Sequence, residues 1–376
     1  MNSLNRIIVI PDSFKSGITS VRFCELSKIA INNIFPDTEV ITIPVGDGGE
    51  GTVYAFLSAV GGEKIHVSVK NPFFEDMEAY YGMLPNKTAV IEMAVCAGLP
   101  LANGRANPLI TSTYGVGQLI SHAIGQGCTS IILAIGGSAT NDAGCGMASA
   151  LGVRFFDEQN HEFIPTGGTL HKIKDIDMKD FKLAVPVTAM CDIDNPLYGT
   201  QGAAHVFAPQ KGADSTSVEL LDEGLRHFAK VVKTQLFVDV QNLSGGGAAG
   251  GLGAGAVCFL KADLKMGIDV VLDAVSFDSL LADTDLVITG EGKIDTQSLR
   301  GKAVVGIAKR AKEKNVPVIA IVGDIGDNIE EAYEMGISAI FSINRVAIPR
   351  EDAKKRSESD LGLTLENILR FIRSLS

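Results

Sequence analysis

The chain has 376 residues, 46% of them hydrophobic and 20% charged, with a net charge of −11 and a pI near 5.1. That much apolar residue supports one large domain or two and argues against disorder, while the acidic balance argues against a general nucleic-acid binder. The 41 glycines follow no fixed period, which excludes a collagen-like chain.

Residues 1–65 read as strand, loop, helix, strand, loop, helix. The first strand is Ile7–Ile10, ending in Pro11-Asp12. A hydroxyl at Thr19 or Ser20 can cap the helix that follows. The second strand, Val40–Val45, runs into Gly46-Asp47-Gly48-Gly49-Glu50-Gly51-Thr52, and Val53, Phe56, Leu57 and Val60 then recur at helical spacing. From Lys64 the texture turns to strands at His66–Val69, Met77–Met83 and Ala89–Met93. Helical texture returns over Ser112–Ile124. A third buried strand, Ile131–Ile135, opens into Gly136-Gly137-Ser138-Ala139-Thr140-Asn141-Asp142 and a helix reaching about Leu151. Residues 152–211 are rich in strands and turns, and include the run Val187–Cys191 before Asp192. A helix is expected over about 216–234, followed by the glycine- and alanine-rich segment Gly245–Gly255. Strand–helix alternation resumes with Leu286–Thr289 before Gly290-Glu291-Gly292, a helix near 301–314, Val318–Val322 before Gly323-Asp324, a helix near 328–335 and the strand Ala339–Ser342. The charged stretch 350–359 reads as a solvated loop or helix start, and a helix near 363–374 ends the chain.

Six of these apolar runs share one plan: a short Ile/Val-rich strand, a small-residue turn, then an acid. Uninterrupted runs of this kind are buried on both faces, as in parallel sheets covered by helices. Ligands of open α/β sheets sit beyond the carboxyl ends of the strands, so the acids and glycine turns are expected to gather there. Glycines let backbone N–H groups approach phosphate, and carboxylates hold Mg²⁺. The expected architecture is one α/β domain of residues 1–64, 102–150 and 265–376, interrupted by a strand-richer α/β domain of residues 65–101 and 151–264.

The sharpest local signal is Gly136–Asp142, where small and hydroxylated residues lead from a strand to a helix start, as at anion sites. An ordinary turn capped by Thr140 or Asp142 is the plainer alternative. No Walker A spacing occurs in the chain. Gly245–Gly250 fits the spacing of a dinucleotide fingerprint, with Asp269 near the matching distance, but no clean strand precedes it. Close packing against a backbone or ligand is the better reading of those glycines. Glu291-Gly292-Lys293-Ile294-Asp295 sets two acids and a lysine after a strand, and Cys191–Pro196 sets two acids and an amide on a turn. Cys191 has no histidine motif to activate it. Lys15, Lys211 and Lys302 each stand beside Gly or Ser, where a lysine is ordinarily solvated and only in the functional case meets a phosphate or carboxylate. The six cysteines form no CxxC pair and histidines are scattered, so zinc is not expected and free thiols in a reducing cytoplasm are. No apolar run approaches the ~20 residues of a membrane helix, and the longer apolar stretch of a signal peptide is missing before Ile7.

Taken together, the segments resemble the bacterial-type (type I) glycerate kinase family over nearly the whole chain. The resemblance is carried by Pro11–Lys15, Pro44–Thr52, Ser112–Gly115, Gly136–Asp142, Cys191–Leu197, Pro209–Gly212, Gly247–Gly253, Ile288–Asp295 and Gly301-Lys302. Two departures are Ser16-Gly17, where the family usually has Gly then Ser, and Ala143, where it usually has Gly. The resemblance implies a flavodoxin-like parallel-sheet domain with a second domain inserted in it, and a cytoplasmic kinase using ATP, Mg²⁺ and D-glycerate. It favours phosphorylation at the 2-position, giving 2-phosphoglycerate rather than 3-phosphoglycerate. Phosphoryl transfer is mainly positioning and charge neutralisation. On that basis Asp192, Lys15, Asp295 and Lys302 are the candidate catalytic residues. Gly136, Gly137, Ser138, Thr140, Asn141, Gly290 and Gly292 are the candidate nucleotide contacts, and Asp47 and Glu291 the candidate metal ligands. The expected partners are D-glycerate and ATP, with neither nucleic acid nor membrane, and the chain is a candidate homodimer. Two other readings stand beside this one: a nicotinamide-dependent oxidoreductase built on Gly245–Gly250, and a small-molecule-binding regulator without turnover.

Overall fold

The structure is a computed structural model that describes residues 4–14, 17–46, 48–181 and 183–375. Among the expected site residues, Lys15 and Asp47 lie outside the described residues. In chain order the strands are β1 (Arg6–Pro11), β2 (Glu39–Thr42), β3 (Glu63–Lys70), β4 (Asp76–Met83), β5 (Thr88–Glu92), β6 (Ser130–Ala134) and β7 (Arg154–Phe156). They continue with β8 (Glu162–Phe163), β9 (Asp175–Asp177), β10 (Val187–Met190), β11 (Asp263–Lys265), β12 (Leu286–Ile294), β13 (Val318–Ile325) and β14 (Ile337–Ser342). The chain divides into two compact α/β units. One combines Met1–Asp47, Tyr54–Gly61 and Met266–Ser376; the other combines Gly48–Val53 and Gly62–Lys265.

The first unit carries a five-stranded parallel sheet in the order β14-β13-β12-β1-β2. Renumbered within the sheet, this is the doubly wound order 2-1-3-4-5, with its topological switch point between β1 and β12. Ile7, Val9, Ile288 and Ile321 are fully or almost fully buried because helices cover the sheet. The helix Ser20–Ile34 begins where Thr19 accepts a hydrogen bond from the Arg22 N–H at 3.1 Å. It buries Phe23, Cys24, Ser27, Ala30, Ile31 and Ile34, the stripe of an amphipathic helix. The charged stretch 350–359, read as a solvated loop or a helix start, is the opening of one long helix, Arg350–Leu375. Leu361, Leu365 and Leu369 of that helix join the same core as Phe23 and Ile31. The helix expected near 328–335 shrinks to Glu331–Glu334.

The second unit has a six-stranded mixed sheet, β11-β10-β6-β5-β4-β3, and a small three-stranded sheet, β8-β7-β9. β5, β6, β10 and β11 run parallel, while β3 and β4 pair antiparallel at one edge. Here the sequence reading needs correcting. Residues 102–150 belong to this unit, because β6 pairs with β5 (Ile131 opposite Ala89) and with β10 (Ile131 opposite Val187). Strand–helix alternation has the same texture in either sheet, so periodicity names a parallel strand without naming its neighbours. The six strand–turn–acid runs therefore serve two rims: four in the first unit and two in the second.

All six cysteines are free thiols, and five are buried; Cys191 is partly exposed.

Candidate functional site

In the first unit the acids lie at the switch point. The Asp12 N–H donates to Gly290 O at 2.8 Å, which extends the β1–β12 pairing and brings Asp12 beside Glu291. The Glu291 side chain is buried, and its Oε1 has no hydrogen-bond partner. Burial pushes its carboxyl up to about 7; Ser298 and Lys302 pull the other way, and the charges of Asp12 and Asp295 add to the rise. At Asp295 burial also acts upward, but the N–H groups of Gln297 and Ser298 and the ammonium groups of Lys302 and Lys293 win and hold it below the usual carboxylate range. The Gln297 N–H reaches Asp295 Oδ1 at 2.9 Å, and Lys293 Nζ lies 3.6 Å from Asp295 Oδ2. Lys302 is exposed, directly before the helix Ala303–Glu313. The structure thus brings Glu291, Asp295 and Lys302 into one electrostatic group, with Gly290 and Gly292 in the same strand.

Among the described residues no three His, Cys, Asp or Glu side chains form a metal cage. Mg²⁺ does not require one, since it is commonly held by one or two carboxylates with waters and substrate phosphates. A buried carboxylate oxygen without a partner is a suitable hard donor for such an ion. Glu291 fits that role on this ground.

In the second unit, Gly136–Asp142 leaves β6 as a tightly packed loop. A Cβ on Gly136 would stand 2.9 Å from Gly48 O, and the Gly136 N–H donates to that same oxygen at 2.8 Å. The Leu99 N–H donates to Gly137 O, and the Ala139 N–H to Ala97 O, both at 2.9 Å. Beyond the loop the helix is short, Cys145–Ala150. The expected role of its positive end is overturned, because Asp142 occupies its first donors. The Asp142 carboxylate accepts from the N–H groups of Gly144 (3.2 Å) and Gly146 (3.3 Å), and from Thr113 through N (2.7 Å) and Oγ1 (2.8 Å). Burial raises its pKa even against these four donors. Donors for an outside anion must therefore come from the loop itself. Thr140 Oγ1 and both polar atoms of the Asn141 amide are buried without partners. Leaving such groups unpaired costs about 1–3 kcal/mol each, so these atoms are open to an ordered water or a ligand oxygen.

Lys211 is the residue whose burial the sequence reading missed. It is 2% exposed, and its ammonium donates to Ser138 Oγ and Thr140 O, each at 2.7 Å. Burial lowers its pKa to about 7, against the pull of Asp142. Its Pro-Gln-Lys-Gly turn resembles many solvated lysine turns, and only the long-range contact distinguishes it.

The glycine run is no dinucleotide fingerprint. No strand leads into it, and Ala249, Gly250 and Gly251 have left-handed φ values of 54°, 66° and 89°. A Cβ on Gly250 would lie 2.0 Å from Thr140 O, so this glycine exists to let two backbones meet. Asp192 is exposed just past β10, and its neighbour Cys191 donates to Ile193 O at 3.4 Å.

The chain matches the Glycerate kinase family over residues 7–373. It is 46% identical over 368 residues to "Glycerate kinase" of Bacillus cereus (strain ATCC 10987 / NRS 248), covering 96% of this chain and 97% of that one. It is 41% identical to "Glycerate 2-kinase" of Escherichia coli (strain K12), covering 90% of each. A crystal structure from Salmonella typhimurium LT2, provisionally named glycerate kinase 2, superimposes with a TM-score of 0.88 at 39% identity and 99% coverage of both chains. The chain belongs to the glycerate kinase family. It is an ATP-dependent kinase with a two-domain α/β fold, which sets aside both the oxidoreductase and the non-catalytic readings.

Proposed function

We propose that the chain is a glycerate kinase of the bacterial type (type I) that transfers the γ-phosphoryl group of ATP to the 2-hydroxyl of D-glycerate, giving 2-phosphoglycerate. The observation that carries the anion chemistry is the cluster of unpartnered, buried polar atoms on Thr140 and Asn141 beside the Lys211 ammonium. The Escherichia coli relative, named for the 2-position, supports the regiochemistry.

Loop residues Gly136, Gly137, Ser138, Thr140 and Asn141 hold phosphate oxygens, with Gly290 and Gly292 as further nucleotide contacts. Asp192 accepts the proton of the glycerate hydroxyl. As it does so, the hydroxyl oxygen bonds to the γ-phosphorus, the bond from that phosphorus to the bridging β–γ oxygen breaks, and ADP leaves. Glu291 and Asp47 are the proposed Mg²⁺ ligands, and the ion would neutralise charge on the phosphates. Asp295, Lys302 and Lys15 supply the remaining charge around the reacting groups. Phosphorus NMR of the product formed from ATP and D-glycerate tests both activity and position. A 3-phosphoglycerate resonance would move the transfer to the other hydroxyl, and no product would refute the reading.

A further inference from the structure

Lys211 has no role in the reaction as just described, yet the fold commits a great deal to it. A lysine is almost never fully buried unless its ammonium has partners. This one is enclosed, and its partners are two atoms of a single loop, Ser138 Oγ and Thr140 O.

The geometry of those two bonds decides which way the loop's donors face. A serine hydroxyl has one donor and two acceptor positions. When Lys211 donates to Ser138 Oγ, it fills an acceptor position and leaves the hydroxyl hydrogen to point elsewhere. Ser138 retains slight exposure, 8%, so this donor has a way out. The Thr140 carbonyl is drawn inward to Lys211 and is closely approached by Gly250. In a planar trans peptide the following N–H points opposite to the carbonyl. The Asn141 N–H is thereby turned away from Lys211. The bonds that hold the lysine thus set two acceptors, Ser138 Oγ and Thr140 O, toward the ammonium and leave the Ser138 hydroxyl hydrogen and the N–H of the buried Asn141 directed away from it. The ammonium also places a positive charge in a poorly screened interior behind that face.

We propose that Lys211 is a positioning residue for the 136–142 loop, orienting the Ser138 hydroxyl and the Thr140–Asn141 peptide so that the loop presents donors to a phosphate group. This deepens the proposed function and rests on its assignment of phosphate to the loop. The depressed pKa adds a corollary, with Asp142 as the charged group that acts on the lysine. Phosphate binding favours the protonated ammonium, so affinity should decline as pH rises above about 7.

The test is calorimetric titration of inorganic pyrophosphate into the wild-type protein, Lys211→Met, Ser138→Ala and the double variant. Each single change should weaken binding about tenfold, the effect of roughly one hydrogen bond to a charged group. The double variant should be no weaker than Lys211→Met, because the lysine acts through the serine. In turnover, Lys211→Met should raise the KM for ATP with a smaller change in kcat, and its KM should be flat across pH 7–9 where the wild-type value climbs. Wild-type-like pyrophosphate binding by Lys211→Met, fully additive effects, or no pyrophosphate binding by the wild type would each overturn the proposal. If Lys211→Met does not fold, Ser138→Ala decides alone, and unchanged binding there overturns it. The readout also separates the two claims. Lysine-dependent pyrophosphate binding without turnover of ATP and D-glycerate would refute the function and keep Lys211 in its role. Turnover with lysine-indifferent binding would do the reverse.

Discussion

The two parallel rims use the same strand architecture for opposite electrostatic ends. In the first unit the strands end in acids: Asp12 and Glu291 meet at the switch point, with Asp295 four residues on. In the second unit β6 ends in small, hydroxylated and amide residues backed by a buried lysine, and its acid, Asp142, is turned inward to hold Thr113 and the next helix. The first rim offers carboxylate oxygen; the second offers N–H and O–H after β6, with the exposed carboxylate of Asp192 after the neighbouring β10. A parallel sheet does not dictate the charge of its rim; the few residues after each strand do.

The largest expected effect is at Asp192. A general base is worth roughly 10²–10⁴ in rate, so Asp192→Asn should lower kcat by that order. Because the side chain is exposed, its melting temperature should stay near that of the wild type. A variant that melts early yet turns over normally when folded would make Asp192 a turn-capping residue and confine the chemistry to other groups.

Next comes the donor rim itself. Thr140→Val with Ser138→Ala should reduce kcat/KM for ATP by about tenfold to a hundredfold, the loss of one or two hydrogen bonds to charged oxygens. The ligand-free melting temperature should fall modestly, because Ser138→Ala takes an acceptor from the buried Lys211 ammonium while Thr140→Val removes only a buried hydroxyl that has no partner. Unchanged kinetics would exclude this loop as the phosphate-binding rim.

The acid rim should respond through metal and pH. Glu291→Gln should raise the Mg²⁺ concentration for half-maximal rate by about tenfold, in line with the loss of one charge-assisted contact. The folded-state pKa of Glu291 is raised to about 7 from 4.5. Its contribution to stability is therefore fully present below pH 4.5 and is lost as pH rises through about 7. Glu291→Gln, neutral at every pH, should melt above the wild type at pH 8 and draw level with it near pH 4.5. In the wild type the Mg²⁺ requirement should ease as pH rises through about 7, and in the variant it should not. A pH-independent Mg²⁺ requirement in the wild type would remove Glu291 from the metal.

The smallest effect sharpens the second rim. Ala143 follows the loop with φ 51°, a left-handed conformation that suits the glycine usual in the family. The strain costs about 1–2 kcal/mol, and glycine returns about 0.5–1 kcal/mol as chain entropy. Ala143→Gly should therefore stabilise the protein by about 0.5 kcal/mol in urea unfolding, with kinetics unchanged. Destabilisation would mean that the packing of the buried methyl outweighs the strain.

Much of this was legible in the residues. Five of the six apolar runs marked strands that are mostly buried, because a doubly covered strand must be apolar throughout, and the small-residue turns marked their carboxyl ends; the sixth, Val40–Val45, marked the edge strand β2, whose four residues are exposed or half-buried. Thr19 was legible as a cap because its hydroxyl serves a donor only three residues away. What stayed hidden depends on contacts distant in sequence. Strand partnership placed β6 in the second sheet through Ala89 and Val187. Lys211 is 73 and 71 residues from its two acceptors, and nothing in its local turn distinguishes it from a solvated lysine. The long final helix was obscured for a different reason: its first turns are charged, and its apolar contacts begin only near Leu361.

The cysteine distribution has a practical consequence. Five thiols are sealed in the folded chain, while Cys191 is partly open and adjoins Asp192. A maleimide dye added to the native protein should therefore label one position, without any cysteine having to be engineered away. Burial pushes the Cys191 thiol up, and the charges of Asp192 and Asp194 add to the rise, so labelling should be slow at neutral pH and faster in mild alkali. The attached fluorophore would report from the turn that carries the proposed base, giving a direct optical signal for occupancy of that turn.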